Sequence, residues 1–255
     1  MLAKERQLRI LNRLQLQPFI KISELCQELH ASKSTIQRDL KILEEEGKIK
    51  RERGGVVQKK FAETMSDLTE APVFEKVGEN EEAKKKICQE AAKRIKDGDL
   101  IFIGSGTTPT YLIPYIQDKK IKIVTNSYFL LPGLKQCEAE VYLLGGRYSK
   151  KHEITMSPST LEQLKEFRFD KVFIGANGLD LELGEVYTSE FECGALKQTV
   201  MKRSRQSYLL VDDSKFSITA ICRFGYADQF DQIIVNDFPK NKKKYKNIVV
   251  VDSEE

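Results

Sequence analysis

Seven short apolar runs between residues 100 and 251 leave few folds open to this chain. They read LIFI (100–103), IKIV (121–124), VYLL (141–144), KVFIG (171–175), SYLLV (207–211), QIIV (232–235) and NIVVV (247–251). Each has the length of a strand and is mainly apolar, the pattern of strands covered on both faces. Helical signals fall between most of them: Thr108-Pro109, Ser127, Ser157-Pro158, and the stretch from Phe191 to Arg203. Ahead of the first run, Ala83, Ile87, Ala91 and Ile95 mark one more helix, which stops at Asp97-Gly98. The expectation is an α/β domain with a mostly parallel sheet, and in such sheets ligands sit beyond the carboxyl ends of the strands.

The loops at those ends are small and polar. Gly104-Ser105-Gly106-Thr107-Thr108 follows the first run, Thr125-Asn126-Ser127 the second and Gly145-Gly146-Arg147 the third. Gly175-Ala176-Asn177-Gly178 follows the fourth, and Asp212-Asp213-Ser214-Lys215-Phe216 the fifth. Glycines let a backbone approach an anion, and a helix start presents amides to it. Each loop alone is an ordinary strand–helix turn. Together they describe a pocket for a small polar anion, a phosphorylated ligand.

Residues 1–58 follow another pattern. Leu8, Ile10, Leu11 and Leu14 predict a helix from Lys4 to Gln15, ended at Gln17-Pro18. Ile20 and Ile22 suit a short strand, Ser23 a cap for a second helix over Glu24–His30, and His30-Ala31-Ser32 a turn into a third. In that third helix Ile36, Leu40 and Leu43 form an inward stripe, while Ser34, Gln37, Arg38 and Lys41 share the other side and Gly47 provides the stop. A solvated amphipathic helix has the same layout. Two helices joined by so tight a turn, however, have helix-turn-helix geometry. Arg to guanine, Gln to adenine and Ser to either are pairings that a major groove favours. Lys33, Ser34, Thr35, Gln37, Arg38 and Lys41 are therefore the candidate DNA readers. Lys48–Arg53, then Gly54-Gly55 and Val56-Val57, read as a hairpin wing that brings Lys50, Arg51 and Arg53 near phosphates.

Charge agrees with this division. The chain carries +4 overall, yet residues 1–60 hold 14 Lys/Arg against 8 Asp/Glu, a net +6 on a near-neutral body. Small domains often carry several net charges, so the asymmetry supports the reading without proving it. Residues 59–78 have no sustained period and read as a linker, followed by the large domain over 79–255.

Five cysteines, odd in number and without a CxxC pair, argue for a reducing cytoplasm and against a disulfide frame or zinc site. No cofactor or metal is expected. The first residues interleave charged with apolar side chains, unlike a signal peptide, and no apolar run approaches bilayer length.

The segment STIQRDLKILEEEGKIKRERGGVV resembles the N-terminal signature of the DeoR-type bacterial transcriptional regulators, a Thr-Ile-x-Arg-Asp-Leu core before a wing ending in Gly-Gly. Thr35, Arg38, Asp39, Leu40, Gly54 and Gly55 stand where the family has them, and Gln37 stands where members usually have a second Arg. The resemblance continues through SGTT, TNS, LLGGR, FDKVFIGANG, the Gly184–Thr188 segment and DSKF, in order, as in the family's sensor domain. That domain is similar in fold to ribose-5-phosphate isomerase and the CoA-transferases, and in the family it binds sugar phosphates. The resemblance implies that Ser105, Gly106, Thr107 and Thr108 cradle the phosphate and that Asn126, Arg147, Asn177, Asp212 and Lys215 surround the sugar. Gly104 is a departure, since members often carry Asp there. The implied protein is a cytoplasmic regulator, a repressor by preference, with an operator, a sugar-phosphate effector and a second copy of itself as partners. Asp39, awkward at a phosphate surface, is expected to pair with a wing arginine or to stay solvated.

The alternative is a sugar-phosphate isomerase with an appended DNA-binding domain. Isomerisation needs a carboxylate base and a charged group for the enediolate. At the matching positions this chain places Ile174, Asn177, Glu190 and Thr199, so that proton-transfer set is missing and binding without turnover is expected. Cys193 is read as an inert thiol at the pocket edge, His152 as a surface histidine, Tyr187 and Phe191 as core, and Lys240–Lys246 as a solvated loop.

Overall fold

A computed structural model of the chain describes residues 3–16, 19–46, 48–52, 55–58, 73–216, 218–239 and 245–251. Gly47, Arg53, Gly54, most of the Lys240–Lys246 run and the side chains of Lys50 and Arg51 lie outside the described residues. The chain divides into two units, Met1–Ser66 and Asp67–Glu255.

The first unit runs α1 (Ala3–Leu16), β1 (Phe19–Lys21), α2 (Ile22–Glu28), α3 (Lys33–Glu45), β2 (Ile49–Glu52) and β3 (Gly55–Gln58). The strands form an antiparallel sheet in the order β1-β3-β2. Ile10, Leu14, Leu25, Ile36, Leu40, Leu43, Ile49 and Val56 close one core beneath them. Within α1 the buried pair is Ile10 and Leu14, one turn apart, which leaves Leu8 exposed. The second helix starts a residue before Ser23: β1 runs directly into it, with Lys21 in the N-cap position and no side-chain cap. The turn to α3 passes through His30 at φ 47°, and Ser32 caps α3 by accepting from the Thr35 amide at 3.2 Å.

The second unit is built on one seven-stranded sheet. Its elements are α4 (Glu81–Ala92), β4 (Leu100–Ile103), α5 (Thr107–Thr110), β5 (Lys122–Thr125), α6 (Leu131–Leu134) and β6 (Glu140–Leu143). A two-strand hairpin follows, β7 (Tyr148–Ser149) and β8 (Ile154–Thr155), then α7 (Pro158–Lys165) and β9 (Phe169–Ile174). The chain continues through β10 (Gly178–Asp180), β11 (Glu185–Thr188), α8 (Phe191–Lys202), β12 (Ser204–Leu210), β13 (Cys222–Tyr226), β14 (Gln232–Val235) and β15 (Ile248–Val250). The large sheet has the order β15-β14-β12-β9-β4-β5-β6, parallel at every pairing.

Alternate residues of its strands feed two cores. Phe102, Val172, Ile174 and Leu209 face one side with Leu164, Leu196 and Val200 of α7 and α8. Ile101, Ile103, Phe173 and Leu210 face the other, with Ile87, Cys88 and Ala91 of α4. The strand order reverses between β4 and β9, which places the loops after these two strands side by side at a topological switch point. A small antiparallel sheet, β10-β11-β13, caps this end and has no counterpart in the seven apolar runs. No helix among the described residues is long and apolar enough to cross a membrane.

Candidate functional site

In the first unit, the outer side of α3 carries Lys33, Ser34, Gln37, Arg38 and Lys41, all exposed. Among the described residues Arg38 and Gln37 have no side-chain partner, so their donors are available to a groove. Lys41 makes a loose pair with Glu45 at 3.8 Å, and Ser34 and Thr35 share the Ser32 hydroxyl at 2.9 and 2.8 Å. Thr35 is thus part of the cap and only half exposed. Asp39 is not the solvated carboxylate of one expectation, and the wing arginine side chains of the other lie outside the described residues. Asp39 is buried and accepts from Arg6 Nε at 2.5 Å and Gln7 Nε2 at 3.5 Å, both on α1. Its side chain lies on the inner flank of α3, so it ties this helix to α1.

In the second unit, one cavity opens where the β4 and β9 loops meet. Ser105, Gly106, Thr107 and Thr108 line it, with Gly175, Ala176, Asn177 and Lys215. Gly106 sits at φ 144°, a conformation that a residue with a Cβ rarely adopts, and Thr107 and Thr108 open α5 with first-turn amides that lack intrahelical acceptors.

Three more lysines and a histidine converge there. Lys76, Lys84, His152 and Lys197 line the same cavity. Lys84 of α4 is 3% exposed and donates to Thr107 Oγ1 at 3.0 Å and to the Lys76 carbonyl at 3.3 Å. No carboxylate of the described residues lies within ion-pair distance of it. Burial holds its ammonium below the ordinary lysine value of 10.5, and Asp212 only partly offsets this. Lys197 of α8 is also buried; it donates to Thr188 Oγ1 at 3.1 Å, whose hydroxyl in turn donates to Asn177 Oδ1 at 3.2 Å. His152 pairs with Glu190 at 2.7 Å and is largely buried, so it is no surface histidine. Cys193 lines the wall, as does one carboxylate, Glu79.

Three expected effector residues do not line the cavity. Asn126 is fully buried and donates to the Thr155 carbonyl at 2.9 Å, which ties the β5 loop to the hairpin. Arg147 is exposed and pairs with Glu192 at 2.8 Å. The cause is local: Gly146, at φ 147°, lies so close to α7 that a Cβ would meet Thr160 Oγ1 at 2.2 Å, and this packing sends Arg147 outward. Asp212 is fully buried behind the wall, accepting from Asn80 Nδ2 at 3.0 Å and from the Ser214 amide at 3.2 Å. Its charge acts on Lys84 from there. Phe191, read as core, is exposed, while Tyr187 is half-buried with its hydroxyl on Glu185.

The lysines that the sequence reading missed did leave a signal. Lys84, Cys88, Ala91 and Ile95 recur at i, i+4, i+7 and i+11, so Lys84 occupies the buried stripe of α4. Lys197 likewise sits one turn after Cys193 and three residues before Val200. A charge in the register of a core stripe needs a reason, and here the cavity supplies it.

Comparison with known proteins agrees with both halves. Residues 6–60 match the DeoR-like helix-turn-helix domain, and residues 79–237 match the DeoR C terminal sensor domain. The chain is 35% identical over 227 residues to the uncharacterized HTH-type transcriptional regulator FruR of Bacillus subtilis strain 168, covering 88% of each chain. It is 30% identical over 240 residues to the HTH-type transcriptional repressor GlcR of the same organism, covering 94% of this chain and 90% of that one. Among solved structures, ribose 5-phosphate isomerase A of Methanocaldococcus jannaschii aligns with a TM-score of 0.41 at 22% identity, over 54% of this chain and 55% of that chain. With a helix-turn-helix in one unit and a lysine-rich cavity in the other, this chain belongs to the DeoR family of transcriptional regulators.

Proposed function

We propose that this regulator represses a sugar-metabolism operon and that a phosphorylated sugar in the cavity controls it. One observation supports the reading most: the Lys84 ammonium is buried at the Ser105–Thr108 loop, and no carboxylate of the described residues lies within ion-pair distance of it. A buried charge that Asp212 offsets only in part is costly, and an anion at that loop would balance it. Ser105, Gly106, Thr107 and Thr108 then hold the phosphate with Lys84 and Lys215. Asn177, Thr188, Lys197 and His152 face the rest of the molecule. The test is the melting temperature against glucose 6-phosphate, galactose 6-phosphate, fructose 1-phosphate, fructose 6-phosphate, glycerol 3-phosphate and their unphosphorylated parents. Phosphorylated compounds alone should raise it; no shift with any of them ends the reading.

The cavity binds without turnover. Of the positions matched to an isomerase, Ile174 is core, Thr199 donates to the Ala195 carbonyl, and Glu190 is engaged by His152. The alternative, an isomerase with a DNA-binding head, draws support from Glu79 and His152 in the wall. Incubating each sugar phosphate with the protein and following it by phosphorus NMR separates the two, because conversion would establish the enzyme.

Lys84 also sets a pH dependence. Anion binding needs the charged ammonium, and burial lowers the pH at which that charge is lost. Affinity should therefore be full below the depressed pKa and fall as pH rises through it, before pH 10.5, where an ordinary lysine titrates. Sulfate, which does not titrate in this range, is the probe. Affinity that stays level up to 10.5 would contradict the assignment.

On the DNA side, Arg38→Ala should cost about 1–3 kcal/mol of operator affinity and relax base preference, whereas Lys50→Ala should weaken all DNA alike and flatten the salt slope by about one. Titrations over a salt series read both. The division of labour proposed is a head over residues 1–58, a linker over 59–78 and a sensor over 79–255, acting as a cytoplasmic homo-oligomer.

A further inference from the structure

The cavity wall includes the turn with which the described part of the second unit begins. Val73–Lys76 form a single 3-10 turn, and both Val73 and Lys76 line the cavity. One end is held by the Val73 amide donating to the Lys151 carbonyl at 3.1 Å. The other receives a hydrogen bond from Lys84 Nζ to the Lys76 carbonyl at 3.3 Å. Each hold belongs to the cavity. Lys84 divides its donors between that carbonyl and Thr107 Oγ1 on the anion loop. Lys151 immediately precedes His152, which lines the cavity and is pinned to Glu190 ahead of α8.

We propose that the Val73–Lys76 turn is the element through which an occupant of the cavity changes operator affinity; this rests on the sensor reading above. A phosphate at Ser105–Thr108 is a charged acceptor and draws the Lys84 ammonium more strongly than a neutral carbonyl does. The hold on Lys76 therefore differs between the empty and the occupied cavity. An occupant that engages His152 carries Lys151 with it and so changes the hold on Val73. Both ends of one short turn respond to the same ligand. The residues just before it, 59–72, join it to the DNA-reading unit. A ligand shifts such an element only by binding its two arrangements unequally, and the operator must shift ligand affinity by the same factor.

The test uses the full chain and an operator duplex obtained by selection, with the six-carbon sugar phosphates named above and inorganic phosphate as probes. Val73→Pro deletes the amide while its fixed φ suits the start of a helical turn, and Val73→Ala keeps the amide. Each probe is raised until the melting temperature stops rising, so a change in its affinity does not count. For the probe with the largest effect, the operator Kd of the wild-type chain should change at least about tenfold at saturation. Val73→Ala should keep that ratio, and Val73→Pro should bring it within about twofold of unity. A wild-type ratio in Val73→Pro overturns the inference alone. Wild-type indifference to every probe sinks the sensor reading and the inference with it. If Val73→Pro does not fold, hydrogen exchange of the wild-type peptide spanning Val73–Lys76 decides: its rate should change on saturation, and an unchanged rate beside an intact operator response is fatal.

Discussion

Lys84→Met is expected to raise the melting temperature of the empty protein while removing its response to phosphorylated sugars. The two effects have one cause. Among the described residues the ammonium, 3% exposed, hydrogen-bonds to a hydroxyl and a carbonyl, and Asp212 offsets its desolvation only in part. Methionine has similar length, suits an irregular apolar gap, and lies beside Cys88 and Ala91 on the stripe that α4 already buries. Replacing the charge removes a penalty from the folded state and a charge-assisted bond from the complex. Such a bond contributes about 1.5–3 kcal/mol, so anion affinity should fall on the order of 10- to 150-fold. Calorimetric melting with and without saturating sugar phosphate reads both effects. A less stable empty variant that still binds would show that Lys84 is structural.

Asp39→Ala should do the reverse in the first unit, destabilising the head without touching the sensor. Asp39 and Arg6 form a pair with side chains 3% and 12% exposed, and removing one partner of such a pair costs about 3 kcal/mol or more. For a domain of this size that is a drop of roughly 15 °C in melting temperature, with operator binding lost as α3 comes free of α1. The thermal shift with sugar phosphates should persist, because Asp39 has no part in the cavity. Asp39→Asn keeps an acceptor toward Arg6 and should fall between. Equal operator affinity for wild type and Asp39→Ala would return this carboxylate to the solvated role that a sequence reading allows.

How much was legible beforehand depended on how local the signal was. The seven strands of the large sheet were readable because most of their residues are buried, so each carries a short and mainly apolar run. Their starts were less clear: β9 and β12 begin earlier than the apolar runs, at Phe169 and Ser204, where Asp170, Arg205 and Gln206 are partly or wholly exposed. The small sheet was invisible because its strands mix polar with apolar residues and β13 pairs with β11 across more than thirty residues of chain. Within the cavity, the loops after β4 and β9 were legible from their glycines and from the rule that ligands bind beyond the carboxyl ends of strands, while the strand order that singles them out was not. The loops after β5 and β6 looked alike in sequence but turn elsewhere. Asn126 is consumed by the hairpin and Arg147 is thrown outward by the packing of Gly146. His152 sits on a hairpin with no periodicity to betray it.

The central claim is that a cavity which balances buried cations with an anion also governs DNA binding in the same chain. The most direct measurement is a titration of the full-length protein on its selected operator, with and without the sugar phosphate that gives the largest melting shift. At least about a tenfold change in operator Kd is expected at saturation, with the unphosphorylated parent sugar inert. Identical Kd values, with the cavity filled in one sample and empty in the other, would contradict it.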